Sequence, residues 1–194
     1  MPPTRILVFQ LRNEPVTAPF SIREAVEEDL DRVRDIKVDN WAGTYGPLVD
    51  PAVLRPYLDR RAQLDALRKQ LVLPGTSLLV AVDEPGMVIA FALFYPVHHP
   101  EPWMESLHVA LSSRGRGAGT LLMRATAFRL QAGGRRSLRL GVVVGNDAAA
   151  RFYERLGGVM IGKEPADWAD GVWHWIYRWP DLSPLMTAAG TPAE

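Results

Sequence analysis

At 194 residues and 47% hydrophobic content, the chain is long enough to bury the core of one ordinary domain. Lysine plus arginine equals aspartate plus glutamate at 22 each, so no global charge draws it to nucleic acid or to an acidic partner. The absence of cysteine excludes disulfides, thiolate metal sites and a cysteine nucleophile; with no signal-peptide h-region and no apolar run near the roughly twenty residues of a membrane span, a cytoplasmic protein that does not enter a membrane is expected.

Residues 5–11 have strand composition, but Asn13, Pro15 and Pro19 separate them from the rest of the chain, so 1–20 read as an extension ahead of a main domain over 21–182. The first strand of that domain is expected at 21–25. A helix over 27–40 comes next, with Leu30, Val33 and Ile36 inward and acidic residues in its first turn. Residues 41–51 are dense in turn formers and read as a loop carrying Trp41 and Tyr45; 52–71 read as a second, charged helix closed by Pro74 and Gly75. Two apolar strands, 77–82 and 87–95, flank a hairpin turn at 83–86, and the proline-bounded 98–102 stretch breaks the chain before the next strand.

That next strand, 103–111, alternates, with Glu105, Leu107 and Val109 on one face and Met104, Ser106 and His108 on the other. Directly after it comes Arg114-Gly115-Arg116-Gly117-Ala118-Gly119-Thr120, whose three glycines let backbone pass close to a ligand and aim several N–H groups at one point. Leu121, Leu122, Ala125 and Phe128 continue at helical spacing, which puts those amides at a helix N-terminus, a natural phosphate site. No lysine follows the glycines, which excludes the nucleoside-triphosphate loop, and the spacing fails the dinucleotide fingerprint. From Ser106 to Asn146 there are seven arginines and no Asp or Glu, a local anion attractor; with Phe128 as its single Phe, Tyr or Trp, it lacks the series of aromatics on which single-stranded nucleic acid stacks.

Gly133 and Gly134 end the helix, and 137–144 form a strand of buried type. Asn146 is a fitting N-cap for a helix whose apolar face is Ala149, Phe152, Tyr153 and Leu156, stopped by Gly157. Strands at 159–163 and 172–179 finish the sheet, and 183–194 read as a loose tail. In the last strand Trp173, Trp175, Tyr177 and Trp179 make one face aromatic, open to three readings: core, acceptor pocket or homodimer interface. The order β-α-α-β-β-β-α-β-α-β-β implies an α/β domain with a mixed sheet flanked by helices. The four histidines have no Cys or acidic cluster at ligand spacing, so no metal is expected.

Arg114-x-x-Gly117-x-Gly119 after a strand resembles the acyl-CoA signature of the GNAT superfamily of N-acetyltransferases. About thirty residues on, Asn146-x-x-Ala149-x-x-Phe152-Tyr153-x-x-x-Gly157 resembles a second family motif; the departure is Gly158, where an aromatic is usual. The resemblance covers about residues 21–181 and implies the GNAT fold. It also implies acetyl-CoA as co-substrate and an amine acceptor, with pantetheine along the backbone of Leu107, His108 and Val109. It implies pyrophosphate at Arg114, Gly115, Arg116, Gly117, Ala118, Gly119 and Thr120, with Asn146 beside the cofactor. It assigns Tyr153 to the leaving thiolate and Glu105 to the amine proton. A CoA-binding or regulatory module without turnover is the alternative.

Overall fold

The structure, a computed structural model, describes residues 20–98 and 100–187. Its centre is set by two nearly continuous apolar runs, which form strands β2 (Ser77–Asp83) and β3 (Val88–Tyr95). Such strands must be covered on both faces. Leu79, Ala81, Ala92 and Phe94 enter one core, and Leu78, Val80, Phe91 and Leu93 enter another. Strand β1 (Phe20–Glu24) pairs with β2, and β4 (Trp103–Val109) pairs with β3. With β5 (Leu138–Val143), β6 (Val159–Pro165) and β7 (Trp173–Trp179), the sheet has seven strands in the order β1-β2-β3-β4-β5-β7-β6. Every neighbour is antiparallel except β4 and β5.

Helices α1 (Leu30–Tyr45), α2 (Pro51–Leu58) and α3 (Arg60–Leu71) lie on one side, where Val33, Ile36 and Leu67 meet Val80 and Phe91. Helices α4 (Ala118–Ala132), α5 (Asp147–Arg155) and α6 (Ser183–Thr187) cover the other, where Leu122, Tyr153 and Leu185 share a core with Leu140 and Trp179. Among the described residues, no helix is long and apolar enough to cross a membrane.

Three expectations change. Trp41 and Tyr45 lie in the last turns of α1 rather than in a loop, because no strong stop occurs before Gly46 and Pro47. The single charged helix over 52–71 is two, because Asp59 turns extended and caps α3 by accepting from the Ala62 amide at 2.9 Å. Residues 183–187 are not a loose tail: Leu182 and Leu185 are each 1% exposed and hold α6 against α4. The expected strand at 5–11 and residues 188–194 lie outside the described residues.

The aromatic stripe of β7 runs from core to solvent. Trp179 and Tyr177 are buried, Trp175 packs at the core's edge, and Trp173 is exposed beneath the Lys163 ammonium. Trp179 also accounts for the glycine at 158. Its indole donates to the Leu156 carbonyl at 2.9 Å, and a Cβ on Gly158 would stand 2.6 Å from Trp179 Cζ2. The large ring on β7 fills the space that a side chain at 158 would need. Gly158→Ala is therefore expected to cost about 2 kcal/mol by overpacking, read by urea unfolding, and Trp179→Phe in the same chain should recover part of that loss. Additive losses would show that the two positions do not compete for space.

Candidate active site

Strands β4 and β5 pair only at Trp103 with Arg139 and Met104 with Leu140. Beyond Met104 they part, and a cleft of about 2340 Å³ runs through the opening. The parting begins where β4 carries a bulge: Phe94 pairs with Met104 but Leu93 with Ser106, so Glu105 is the extra residue. The bulge overturns the expected alternation. Met104, Leu107 and Val109 all pack toward the α4 core, while His108, opposite Phe91 with ring centroids 5.3 Å apart, lies on the α1 side. Glu105 shares that α1 side, where Lys37 is the opposing charge that acts on it most strongly. Glu105 and His108 are thus not on opposite faces.

On the α4 side the glycine loop has the form expected for an anion site. Gly115 and Gly117 adopt positive φ of 78° and 88°, and Gly117 is the N-cap of α4, with no side chain to bond the first-turn amides and no acid in that turn. Gly119 has a different role from the other two. A Cβ there would lie 3.3 Å from Phe152 Cζ and 3.5 Å from Val109 Cγ2, so it lets α4 close onto α5 and β4. Ala118 is buried and Thr120 half-buried beside it, and Arg116 is exposed at the loop's rim. Arg114 is directed elsewhere. Its Nη2 donates to Asn40 Oδ1 at 2.7 Å, and Asn40 Nδ2 donates to the Val109 carbonyl at 2.9 Å. Asn40, 3% exposed, ties the loop and the free edge of β4 to helix α1. Arg124, one turn further along α4, lines the cleft with Nε and Nη2 buried and without a hydrogen-bond partner.

Asn146 caps α5 by accepting from the Ala149 amide at 3.3 Å, and both Asn146 and Tyr153 line the cleft. Tyr153, 7% exposed, is wedged edge-on against Phe152 and Trp179. Burial, and then the nearby Tyr45, raise its phenol above the ordinary value, so it keeps its proton at neutral pH and is a donor. Glu105 opens onto the cleft, but the walls enclose it, and this desolvation raises its carboxyl above the ordinary 4.5; Lys37 and a 3.2 Å hydrogen bond from Trp103 Nε1 oppose the rise. His108 is pushed down to about 3 by burial and then by Lys37 and Arg114, so it is neutral.

The α1-side wall is aromatic. Trp41 stacks on Tyr57 at 4.8 Å, Tyr45 meets Trp41 edge-on at 5.1 Å, and Trp168, from the β6–β7 connection, lies 4.9 Å from Trp41. The Tyr57 hydroxyl donates to the Trp168 carbonyl, which joins α2 to that connection. Trp168 Nε1 donates to His174 Nε2 at 3.3 Å, and a Cβ on Gly141 would stand 2.8 Å from His174 Nδ1. So β7 reaches the cleft with His174 and Ile176, and its aromatic stripe faces the other way. Arg124 belongs to the arginine-rich stretch, whereas Lys37, Asn40, Tyr57, Trp168 and His174 line the cleft without a sequence signal of their own. Each depends on which turn or strand face the fold brings inward.

Residues 31–158 match the model of the Acetyltransferase (GNAT) family. The chain is similar to the uncharacterized N-acetyltransferase YuaI of Bacillus subtilis (strain 168), 26% identical over 172 residues, which cover 86% of this chain and 96% of that protein. Its fold is similar to the PaiA N-acetyltransferase of Thermoplasma acidophilum in complex with coenzyme A, with a TM-score of 0.67, 16% identity, and coverage of 82% of this chain and 97% of that one. A GCN5-related N-acetyltransferase from Kribbella flavida gives a TM-score of 0.64 at 22% identity, over 84% of this chain and 98% of that one.

The Asn40 tie carries a stability prediction. Asn40→Ala leaves the Val109 carbonyl without its partner and releases Arg114, so it is expected to cost about 1–3 kcal/mol in urea unfolding. Arg114→Ala, at an exposed position, should cost less. A wild-type midpoint for Asn40→Ala would show that the tie holds nothing.

Proposed function

The chain belongs to the GNAT acetyltransferase family, and from that premise we propose that it transfers the acetyl group of acetyl-CoA to a primary amine. The observation that carries the reading is the parting of β4 and β5: an unpaired strand edge runs from a helix N-terminus without acids, through the sheet, to a carboxylate on the far face. An extended amide-bearing chain can add to such an edge as a strand does, with its phosphates at the α4 N-terminus. That the structurally similar Thermoplasma protein was solved in complex with coenzyme A supports coenzyme A as the ligand.

The proposed reaction has three parts. Glu105 takes a proton from the incoming ammonium, directly or through water; the free amine attacks the thioester carbonyl; the C–S bond breaks and the electron pair leaves on sulfur. Tyr153 donates a hydrogen bond to that sulfur. Its raised phenol makes complete proton transfer to a thiolate uphill, so it stabilises the developing charge; the second proton, shed by nitrogen as the amide forms, goes to the sulfur to give the thiol, and the first passes from Glu105 to solvent.

Tyr153→Phe removes only the oxygen, so kcat should fall by about 10²-fold while the KM for acetyl-CoA stays near wild type. Retained kcat, or a joint collapse of affinity and folding, would make Tyr153 a packing residue. Glu105 acts as a base only when ionised, so wild-type kcat/KM should decline as pH falls through its raised pKa. Glu105→Gln should lose that acidic limb and be slower throughout. A variant with the limb intact would move the proton transfer to another group.

A further inference from the structure

The cleft is lined by the Lys37 ammonium and by two carboxylates, Glu105 and Asp167, that have no ion-pair partner among the described residues. Among the described residues neither Lys37 nor Glu105 makes a salt bridge, with the other or with any third group. They are near enough to feel one another's charge. Lys37 Nζ stands 5.7 Å over the Trp41 ring, which turns the ammonium toward the aromatic wall.

Resting on the acetyl-transfer reading, we propose that the acceptor is a free α-amino acid with an aromatic side chain. Its amine meets Glu105, its carboxylate meets Lys37, and its ring lies against Trp41, Tyr57 and Trp168.

Each part answers a feature of the wall. A carboxylate beside the reacting amine supplies the anion that Lys37 lacks, in a partly desolvated place where a charge-assisted hydrogen bond is strong. A plain cationic amine would instead be repelled by Lys37. An acceptor carrying only negative charge would meet both Glu105 and Asp167, which raises Glu105 further. Burial lowers the Lys37 ammonium and raises the Glu105 carboxyl, as expected of charged groups whose loss of water is not offset by an ion pair, and a zwitterion relieves both. The aromatic rings suit a flat apolar body. The Tyr57 bond to the Trp168 carbonyl joins α2 to the β6–β7 connection, so the wall that would take the ring is held in place.

The test uses the full chain, acetyl-CoA and free-thiol release, with phenylalanine, phenethylamine, phenylalaninamide and a lysine-bearing peptide as acceptors. Phenylalanine should exceed the amine and the amide in kcat/KM by about tenfold or more, the worth of one charge-assisted contact. Lys37→Met should bring the three together, and Lys37→Arg should keep part of the preference. Turnover that favours the amine, the amide or the peptide overturns this proposal and leaves acetyl transfer standing, as does an unchanged preference in Lys37→Met. Thiol release with none of the acceptors, while calorimetry shows acetyl-CoA bound, overturns both readings together.

Discussion

The short pairing of β4 with β5 is the constraint on which the rest of the site depends. Had the ladder continued past Met104, the backbone groups of residues 105–109 would be occupied and the sheet would be closed. β5 cannot follow β4 away, because its other edge is paired with β7 along its whole length, from Leu138 to Val143. The opening is therefore fixed from both sides, by a bulge that turns β4 out and by a ladder that holds β5 in. As the strands are parallel, their carboxyl ends diverge together, and the connections leaving them become the glycine loop into α4 and the Asn146 turn into α5. A crevice beyond the carboxyl ends of parallel strands is where ligands bind in open α/β sheets.

Helix α1 joins the two halves of the cleft. Lys37, Asn40, Trp41, Thr44 and Tyr45 recur every three or four residues, so one stripe of the helix faces inward. Asn40 bonds the loop arginine and the β4 edge, while Lys37 and Trp41 line the aromatic wall. A shift of α1 would move both together. This requires the helix to run on to Tyr45; ended at Asn40, it would leave the wall on a loop.

The parts of the fold that were legible are those in which local sequence decides local structure. The apolar runs of β2 and β3, the glycines at 115 and 117, and the Asn146 cap each state their conformation in a few residues. What stayed hidden depends on distant partners. The bulge at Glu105 leaves the apolar alternation of β4 intact to the eye, and only the register against Leu93 and Phe94 reveals it. Gly119 resembles its neighbours, yet its smallness answers Phe152, thirty-three positions later. Gly158 departs from the family pattern because Trp179, on another strand, takes the space. Leu182 and Leu185 are too few to mark a helix until α4 presents a surface for them.

The bulge also settles an electrostatic conflict. Glu105 is the last acid before a stretch of seven arginines and no Asp or Glu, from Ser106 to Asn146. In an unbroken strand it would share a face with Leu107 and Val109, pointing into the α4 core, where a carboxylate would be desolvated without a partner and would oppose any anion drawn to the loop. The extra residue turns it through the sheet to the side of Lys37 and the aromatic wall. The same irregularity that stops the β4–β5 ladder therefore keeps the Glu105 carboxylate off the face that carries the glycine loop and places it with Lys37 and the aromatic wall. One inserted residue separates two electrostatic environments across the thickness of a single sheet.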